Sequence, residues 1–467
     1  MESQRHGPTF SRRHILRSLA ILPAAAALLQ ACGATATPTV VPPPSAAISK
    51  PQQIVHWVYS SLPLDKTTLK RVPPTQKENT IEYFDWSVAE FKKIEPNITV
   101  KQEALPHDQT WFAKLDASLV AGTQPDVVQG PVSEAAKYIP LGALSPIDAY
   151  MAAVDKEDIV KEVATESSFA GKNYLWPWRL SFGGGIQINA TLWKAAGIGD
   201  LLPKGETRNW SMDDCLKAFQ ATTKGDQYGT VLTTDIHYHI SQFLFGFGAR
   251  LFNDDETAVI LNSPEGIAGL EWLLDLEHKH KVAVPGTAVR KAAEGDKLFL
   301  ERKSASYPSQ GAGVKPASLD GVQDFEWYWV PPPNTSGKKP AVMTNIHGHF
   351  VFSQKDGDRT AAAHRYTQFL VRPDALALSL AQFGMPPARK SLWVNVTDAN
   401  QKVGLRFTEI MTTFGRRASA TPITFTEVPR MLEAAFSKQK TAKQALDDLA
   451  NASNKLIQDA IAEEKRR

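Results

Sequence analysis

Short apolar runs alternate with helical apolar spacings from residue 53 onward. Residues 53–59, with the sequence QIVHWVY, are β-branched and aromatic, and they predict a buried first strand. A helical spacing of apolar side chains follows, stops before Pro96 and consists of Ile81, Phe84, Val88 and Phe91. Residues 98–102 predict another short strand, and a further helix leads to a strand after Asp126. This alternation is typical of α/β domains with largely parallel sheets.

Several helix starts later in the chain carry capping residues. Ser211 precedes an apolar helical pattern and is followed by two acidic residues, which favour the positive end of a helix. Ser263 is followed by a proline, at the first helical position, and then by Glu265. Thr441 and Gln444 form a capping box that predicts a long C-terminal helix. We interpret these residues as structural and assign none of them to a ligand.

Residues 1–31 have the pattern of an export signal, because they end in a 14-residue apolar run that is too short to cross a bilayer. Arg12 and Arg13 precede the run and resemble a twin-arginine signal, which exports folded proteins. The run ends in Leu-Gln-Ala-Cys, which resembles a bacterial lipobox, although Gln30 replaces the usual small residue. We therefore expect a signal peptide followed by a lipidated Cys32. The alternative is an ordinary secretory peptide that happens to contain a cysteine.

Composition indicates a flexible tether followed by a large globular body. Residues 32–50 are mainly Ala, Pro, Thr, Ser and Val, which predicts a semi-extended linker. The chain of 467 residues is 43% hydrophobic and 22% charged, so residues 51–467 can bury a large core divided into two lobes. The net charge is +3, but residues 1–31 hold four arginines and one glutamate, so the mature chain is close to neutral. This charge gives no indication of a nucleic-acid partner.

The cysteines and histidines predict no metal centre. Cys215, the only cysteine besides Cys32, lies in a helical pattern and is expected to be a small buried apolar residue. With Cys32 acylated, no disulfide can form within the chain. His347 and His349 could point the same way as metal ligands, but no third ligand lies near them in the sequence. We therefore expect neither a metal nor a cofactor.

Six segments resemble, in order and spacing, the extracellular solute-binding proteins of family 1, the substrate receptors of ABC importers, most often for sugars. The segments are FKKIEPNITV, KLDASLVAGTQPDVV, GKNYLWPWRLSFGGGIQINATLWKAAGI, NWSMDDCLKAF, LFLERKSASYPSQ and AAAHRYTQFLVRPDALALSLAQFGMPPARKSLW. The departures from the family pattern are Asn209, Arg302, Ser304, Ser306 and Tyr307. No single segment is specific, but their order and spacing are, and the lipoprotein signal is independent support.

The resemblance implies a two-lobed, periplasmic-binding-protein-like α/β fold in which each lobe is a doubly wound sheet flanked by helices. Lobe 1 would hold about residues 51–170 and 330–375, and lobe 2 about residues 180–325 and 380–467. The ligand cleft would lie at the hinge, beside the carboxyl ends of strands. The protein would be a monomeric, non-enzymatic receptor on the outer face of the cell membrane. It would bind a sugar or oligosaccharide and deliver it to the permease of an ABC transporter.

Candidate ligand-binding residues combine aromatic and polar side chains, because a sugar presents apolar C–H faces as well as hydroxyl groups. Trp178 and Arg179 lie in the segment that faces the cleft in the family, and packing within a hinge strand is the open alternative. We interpret Trp176 and the alternating Trp327 and Trp329 as core residues. The other candidates come from loop positions: Tyr59, Ser60, Gln129, Tyr307 and Gln310 end or follow strands, and His347 lies where the family has a strand entry near the cleft.

Two other classes of function stay open from the sequence. A secreted glycoside hydrolase needs two carboxylates beside a cleft, and the chain has acids such as Asp85, Asp126 and Glu301. Asp126 starts a strand in the family pattern, which favours packing or capping, and the chain contains no nucleophile elbow, phosphate loop or zinc signature. A receptor for a polyamine, a metal or a peptide would show clustered acids or paired tyrosines, and neither stands out.

Overall fold

The computed structural model describes residues 48, 50–59, 63–70, 72, 76–105, 109–169, 171–311, 313, 315–319, 321–383, 386–415, 417 and 419–464. The predicted signal peptide, the lipidation residue Cys32, most of the linker and the candidate ligand residue Ser60 lie outside these residues.

The strands confirm the alternation that the apolar pattern predicts, beginning with the first strand and the one that starts after Pro96. In chain order they are β1 (Gln52–Val58), β2 (Pro63–Asp65), β3 (Thr80–Glu82), β4 (Ile98–Ala104), β5 (Val127–Pro131), β6 (Ser168–Phe169), β7 (Lys172–Asn173), β8 (Leu175–Phe182), β9 (Ile186–Asn189), β10 (Ser306–Pro308), β11 (Trp327–Val330), β12 (Val342–Val351) and β13 (Met411–Thr413).

The α-helices separate most of these strands and cover the sheets. In chain order they are α1 (Tyr83–Ile94), α2 (Gln109–Val120), α3 (Val132–Ala135), α4 (Ala153–Asp158), α5 (Lys161–Glu166), α6 (Ala190–Ala195), α7 (Met212–Thr222), α8 (Tyr238–Gly246), α9 (Pro264–His278), α10 (Ala292–Leu300), α11 (Gly357–Leu370), α12 (Pro373–Phe383), α13 (Ala399–Arg406), α14 (Ala420–Pro422), α15 (Val428–Phe436) and α16 (Ala442–Glu464).

The predicted helix caps are confirmed. Ser211 and Ser263 each accept a hydrogen bond from the backbone N–H three residues later, at 3.0 and 3.2 Å. At the start of α16, the backbone N–H of Thr441 donates to the side-chain amide of Gln444 at 3.0 Å. In return, the N–H of Gln444 donates to the Thr441 hydroxyl at 3.2 Å. These bonds satisfy N–H groups that a helix start otherwise leaves without partners.

The large sheet has the strand order β13-β12-β5-β1-β4, and β8 also pairs with β12. Strand β1 runs parallel to β4 and β5, as the sequence predicts. Strand β12 runs antiparallel to both β5 and β8, so the expectation of largely parallel sheets holds for only part of this sheet. The chain leaves the large sheet at the end of β8 and returns to it through β12. These two neighbouring strands therefore run in opposite directions.

The small sheet has the order β10-β9-β11 and is antiparallel. The chain reaches it from β8 through Gly183, Gly184 and Gly185. Gly185 has a φ of +105°, and a Cβ there would lie 2.1 Å from the Trp329 ring, so this link requires glycine. The chain returns to the large sheet between β11 and β12. It passes to the small sheet again before α13, where Asn400 Oδ1 accepts a hydrogen bond from the backbone N–H of Trp329 at 3.1 Å.

Three clusters of buried apolar side chains make up the core. One lies on the face of the large sheet that is covered by α1 and α11, and includes Trp178. A second lies on the opposite face of that sheet and continues to Trp329 of the small sheet. The third fills the space around the small sheet and includes residues of α7, α9, α15 and α16. Each sheet is therefore covered by its own helices, as in a two-lobed α/β fold.

Candidate ligand-binding site

Residues from four strands lie together along one edge of the large sheet, at the carboxyl ends of β1 and β5. Tyr59 follows β1, and Pro131 ends the parallel strand β5. The antiparallel strand β12 brings His347 opposite Pro131 on one side and opposite Arg179 of β8 on the other. Polar side chains from distant parts of the sequence therefore lie together at this edge, which is where α/β folds bind ligands.

The side chains at this edge form a hydrogen-bonded group. The Tyr59 hydroxyl lies 2.7 Å from His347 Nδ1, and the Tyr59 backbone N–H donates to Gln129 Oε1 at 3.0 Å. Arg179 also hydrogen-bonds to Tyr59, and its guanidinium lies 5.1 Å from the centre of the Trp178 ring. Burial raises the pKa of Tyr59, so the phenol is neutral at physiological pH, and burial lowers the pKa of Arg179. The structure thus brings together four residues that the sequence predicts as ligand contacts.

The edge of the small sheet carries a second polar group. Gln310 follows β10 and is exposed, and its Oε1 accepts a hydrogen bond from the Tyr238 hydroxyl at 3.0 Å. Gln187 of β9 donates to the Ser309 hydroxyl at 2.7 Å. Tyr307, another candidate, points inward instead: it is 1% exposed, and its hydroxyl donates to a backbone carbonyl of α10 at 3.3 Å.

An aromatic face lies beside this second group. The Phe425 ring is 39% exposed, and it stacks on Phe414 with a centroid distance of 5.6 Å and an interplanar angle of 7°. Four residues earlier, the hydroxyl of Thr421 donates to the backbone carbonyl of Ser133 in α3, at 3.4 Å. The Ser133 hydroxyl lies 3.3 Å from Asn345 Oδ1 in β12. These contacts bring the segment that carries Phe425 directly to the edge of the large sheet.

Trp178 does not lie at either edge. Its ring is fully buried on the α1 face of the large sheet, where it stacks on Tyr83 at 5.8 Å and also contacts Phe84 and His349. A fully buried ring cannot offer a stacking face to a sugar, so this placement supports the packing alternative. The neighbouring Trp176 and the pair Trp327 and Trp329 are buried as expected, with exposures of 8% or less.

The sequence did not single out Tyr238 and Phe425. Tyr238 stands at the start of α8 between two histidines, and Phe425 belongs to a π-helical turn after α14. Both are aromatic residues in helical segments, and that pattern is shared by many core residues of this chain. Only the tertiary structure shows that Tyr238 is partly exposed and that Phe425 is exposed.

Two of the three acidic candidates for catalysis, Asp126 and Glu301, have structural partners. Both oxygens of Asp126, which is fully buried, bind Arg359 at 2.6 and 2.7 Å, and Oδ2 also accepts the backbone N–H of Val55 at 2.7 Å. Glu301 lies 3.8 Å from Lys297 on the surface of α10. In the described part of the chain, no group of three or more His, Cys, Asp or Glu side chains could hold a metal ion. No helix among the described residues is both long and apolar enough to cross a membrane.

The fold matches those of solved solute-binding proteins. The sugar-binding protein MalE from Xanthomonas citri aligns with a TM-score of 0.71 at 17% identity, covering 89% of this chain and 100% of that one. The cyclic α-maltosyl-1,6-maltose binding protein from Arthrobacter globiformis aligns with a TM-score of 0.69 at 20% identity, covering 88% and 100%. UgpB from Mycobacterium tuberculosis, solved in complex with glycerophosphocholine, aligns with a TM-score of 0.70 at 17% identity, covering 88% and 100%.

These likenesses show a shared two-lobed fold, and the sequence itself identifies the family. The family described as bacterial extracellular solute-binding protein matches residues 77–377, which include most of both sheets and the first two passages between them. The chain therefore belongs to the family of bacterial extracellular solute-binding proteins.

Proposed function

We propose that this protein is the carbohydrate receptor of an ABC importer and binds its ligand between the edges of the large and small sheets. The observation that carries this proposal is the pairing of an exposed aromatic face, Phe425, with hydroxyl, amide and imidazole groups on both edges. Sugars need this combination, because their C–H faces pack on aromatic rings while their hydroxyls both donate and accept hydrogen bonds.

The two edges belong to different lobes, so ligand binding would favour the closed arrangement in which both contact the sugar. Tyr59 and His347 would contact the sugar from the large sheet and Gln310 from the small sheet, while Gln129, which is fully buried, and Arg179, which is 6% exposed, would hold Tyr59 in position. A ligand shifts such an equilibrium only through contacts that one arrangement makes and the other lacks. The glycine link between β8 and β9 is a suitable hinge, since glycine lacks the Cβ atom that restricts backbone dihedral angles in other residues.

Delivery to a permease requires the receptor to stay near the membrane. We propose that residues 1–31 direct export and that lipidated Cys32 anchors the mature protein, with residues 32–50 as the spacer. A monomer is sufficient for this role, because one chain carries both edges of the site. The lobe bounds drawn from the sequence, about 51–170 and 330–375 for lobe 1 and 180–325 and 380–467 for lobe 2, form part of the same proposal.

A thermal-shift screen tests the proposed function. The probes are maltose, maltotriose, D-tagatose and glycerophosphocholine, with mannitol at equal concentration as the control for non-specific stabilisation by polyols. A ligand at 100 times its Kd stabilises the native state by about 2.7 kcal/mol and raises the melting temperature. We expect at least one of the sugars to do so and to be recovered unchanged by chromatography.

Two results would count against the proposal. Sugars that stabilise the protein no more than mannitol does would contradict a carbohydrate receptor. Conversion of a bound oligosaccharide into shorter products would favour the glycoside hydrolase instead, and glycerophosphocholine as the sole stabilising probe would point to a non-sugar solute.

A further inference from the structure

The start of α8 places two buried histidines with unused hydrogen-bonding capacity at the edge of the small sheet. His237 and His239 are 1% and 3% exposed. Neither ring nitrogen of His239 has a hydrogen-bond partner among the described residues, and the same holds for Nε2 of His237. Buried polar atoms are nearly always paired, because each unpaired one costs about 1–3 kcal/mol. His56 and His349 hold four such atoms in the core of the large sheet, so the three at the start of α8 are of interest because of their position.

These rings lie close to residues of the candidate site. The His237 ring is 6.2 Å from the exposed Phe425 ring, between centroids. Tyr238, between the two histidines, bonds to the exposed Gln310. The His239 ring lies 5.2 Å from the Tyr238 ring and packs edge-on against Tyr307 at 6.0 Å. A ligand held between Phe425 and Gln310 would thus lie close to His237 and, across Tyr238, to His239.

The hydrogen bonds of Ser241 assign the tautomer of His237. The Ser241 hydroxyl donates to the backbone carbonyl of His237 at 2.9 Å, so its proton is already used. His237 Nδ1 lies 3.3 Å from the same hydroxyl oxygen and must therefore be the donor in that contact. The other nitrogen, Nε2, is left as an acceptor, and none of the described residues donates to it.

Both rings are neutral at physiological pH, because burial lowers the pKa of each histidine to about 3. Each neutral imidazole offers one donor and one acceptor. Sugar hydroxyls can satisfy both kinds of atom. A phosphate or carboxylate group offers only acceptors, which would face the lone pair of His237 Nε2.

We propose that His237 and His239 read the hydroxyl groups of the ligand and make the site selective for an uncharged, polyhydroxylated molecule over an anionic one. This inference rests on the proposed function and adds two residues that determine its selectivity. The imidazoles are held without internal partners, and the bound hydroxyls complete their hydrogen bonds.

The test measures affinity by isothermal titration calorimetry in His237→Phe and His239→Phe, with maltotriose as the uncharged probe and sn-glycerol 3-phosphate as the anionic one. If maltose or D-tagatose gives the larger thermal shift in the unmodified protein, that sugar replaces maltotriose. We expect each substitution to weaken sugar binding at least tenfold, because phenylalanine keeps the ring but removes both nitrogens. His239→Gln, which keeps one donor and one acceptor, should recover part of this loss.

His56→Phe is the matched control. His56 is also fully buried and also has two ring nitrogens without a hydrogen-bond partner in the described residues, but it lies in β1 among Phe84, His349 and Tyr366. Its substitution should leave sugar affinity within twofold of the unmodified protein. The ligand-free melting temperature of every variant checks that it folds.

The outcomes separate this inference from the proposed function. If the sugar binds and its affinity changes less than twofold in both phenylalanine variants and in His239→Gln, the histidines are core residues and the inference is wrong while the receptor function stands. Tighter binding of sn-glycerol 3-phosphate than of any sugar would overturn the selectivity for an uncharged ligand. If no sugar stabilises the unmodified protein, the proposed function fails first, and the inference fails with it.

Discussion

Replacing Trp178 by alanine distinguishes a core residue from a ligand-stacking residue. The ring is fully buried and stacks on Tyr83 at a centroid distance of 5.8 Å. Phe84 and His349 close the same space at 5.7 and 5.4 Å. Truncation would therefore leave a cavity between the large sheet and α1, and the surrounding rings are too large to fill it without moving.

The expected cost follows from the area lost. An aromatic side chain buries about 150–250 Å², which at about 25 cal/mol per Å² corresponds to about 4–6 kcal/mol. Alanine keeps a small part of that area, and buried Trp or Phe to Ala substitutions cost about 3–5 kcal/mol. We predict that Trp178→Ala lowers the free energy of unfolding by about 4 kcal/mol, while sugar affinity changes less than threefold.

Urea unfolding followed by circular dichroism measures this loss without depending on tryptophan fluorescence. Trp86→Ala is the control, because Trp86 lies on α1 beside Tyr83, at a ring-centroid distance of 6.0 Å, and is only partly buried. It should cost less than half as much. The reasoning would be refuted if Trp178→Ala lost less than about 1.5 kcal/mol of stability and bound the sugar ten times more weakly.

Three further predictions concern a buried ion pair, acid stability and the anchor. Asp126→Ala should lower the free energy of unfolding by about 2–4 kcal/mol, because it leaves the half-buried Arg359 and a backbone N–H without their acceptor. The control is Asp374→Ala, which removes an exposed ion pair with Arg372 and should lower it by less than about 1 kcal/mol. Burial lowers the folded pKa of His349 to about 3, below its value of about 6.5 in an unfolded chain, so below pH 6.5 the unfolded state binds more protons. The contribution of His349 to the free energy of unfolding is therefore complete above pH 6.5 and decreases by about 1.4 kcal/mol per pH unit as the pH falls from 6.5 towards 3. Urea titrations at several pH values should show a shallower decrease in the free energy of unfolding for His349→Phe than for the unmodified protein. Cys32→Ser should move the protein from the membrane fraction to the soluble extracytoplasmic fraction, and its retention in the membrane would contradict lipid anchoring.

Local features of the fold could be predicted because they depend on neighbouring residues. The cap at Ser211 needs only a hydroxyl before an apolar helical pattern, and the structure places its hydrogen bond where the sequence predicts it. The first strand needs only a run of β-branched and aromatic residues. The glycine run 183–185 lay within a segment that resembled the family, although its role as the link between two sheets depends on how Trp329 packs against it.

Strand direction and side-chain exposure could not be predicted in the same way. Both faces of β8 are covered, so its side chains are nearly all buried and no polar face distinguishes Trp178 from Arg179. The register between β8 and β12 also shifts between His347 and Gly348, which breaks the simple alternation of sides. Phe425 lies in a π-helical turn, where neither the strand period nor the helix period assigns it to a face.

The unpaired imidazoles and the glycine link belong to one energetic argument. A buried nitrogen without a partner costs about 1–3 kcal/mol in the ligand-free protein, so His237 and His239 make the empty site less stable than an apolar core would be. A bound sugar removes that cost when it reaches the small-sheet edge, and it gains further contacts when it also reaches the Tyr59–His347 pair on the other side. Because the two edges belong to different lobes, these further contacts are available only in the arrangement that brings both lobes to the ligand. The hydrogen bonds to the imidazoles would thus select the sugar, and the added contacts with the large sheet would favour closure.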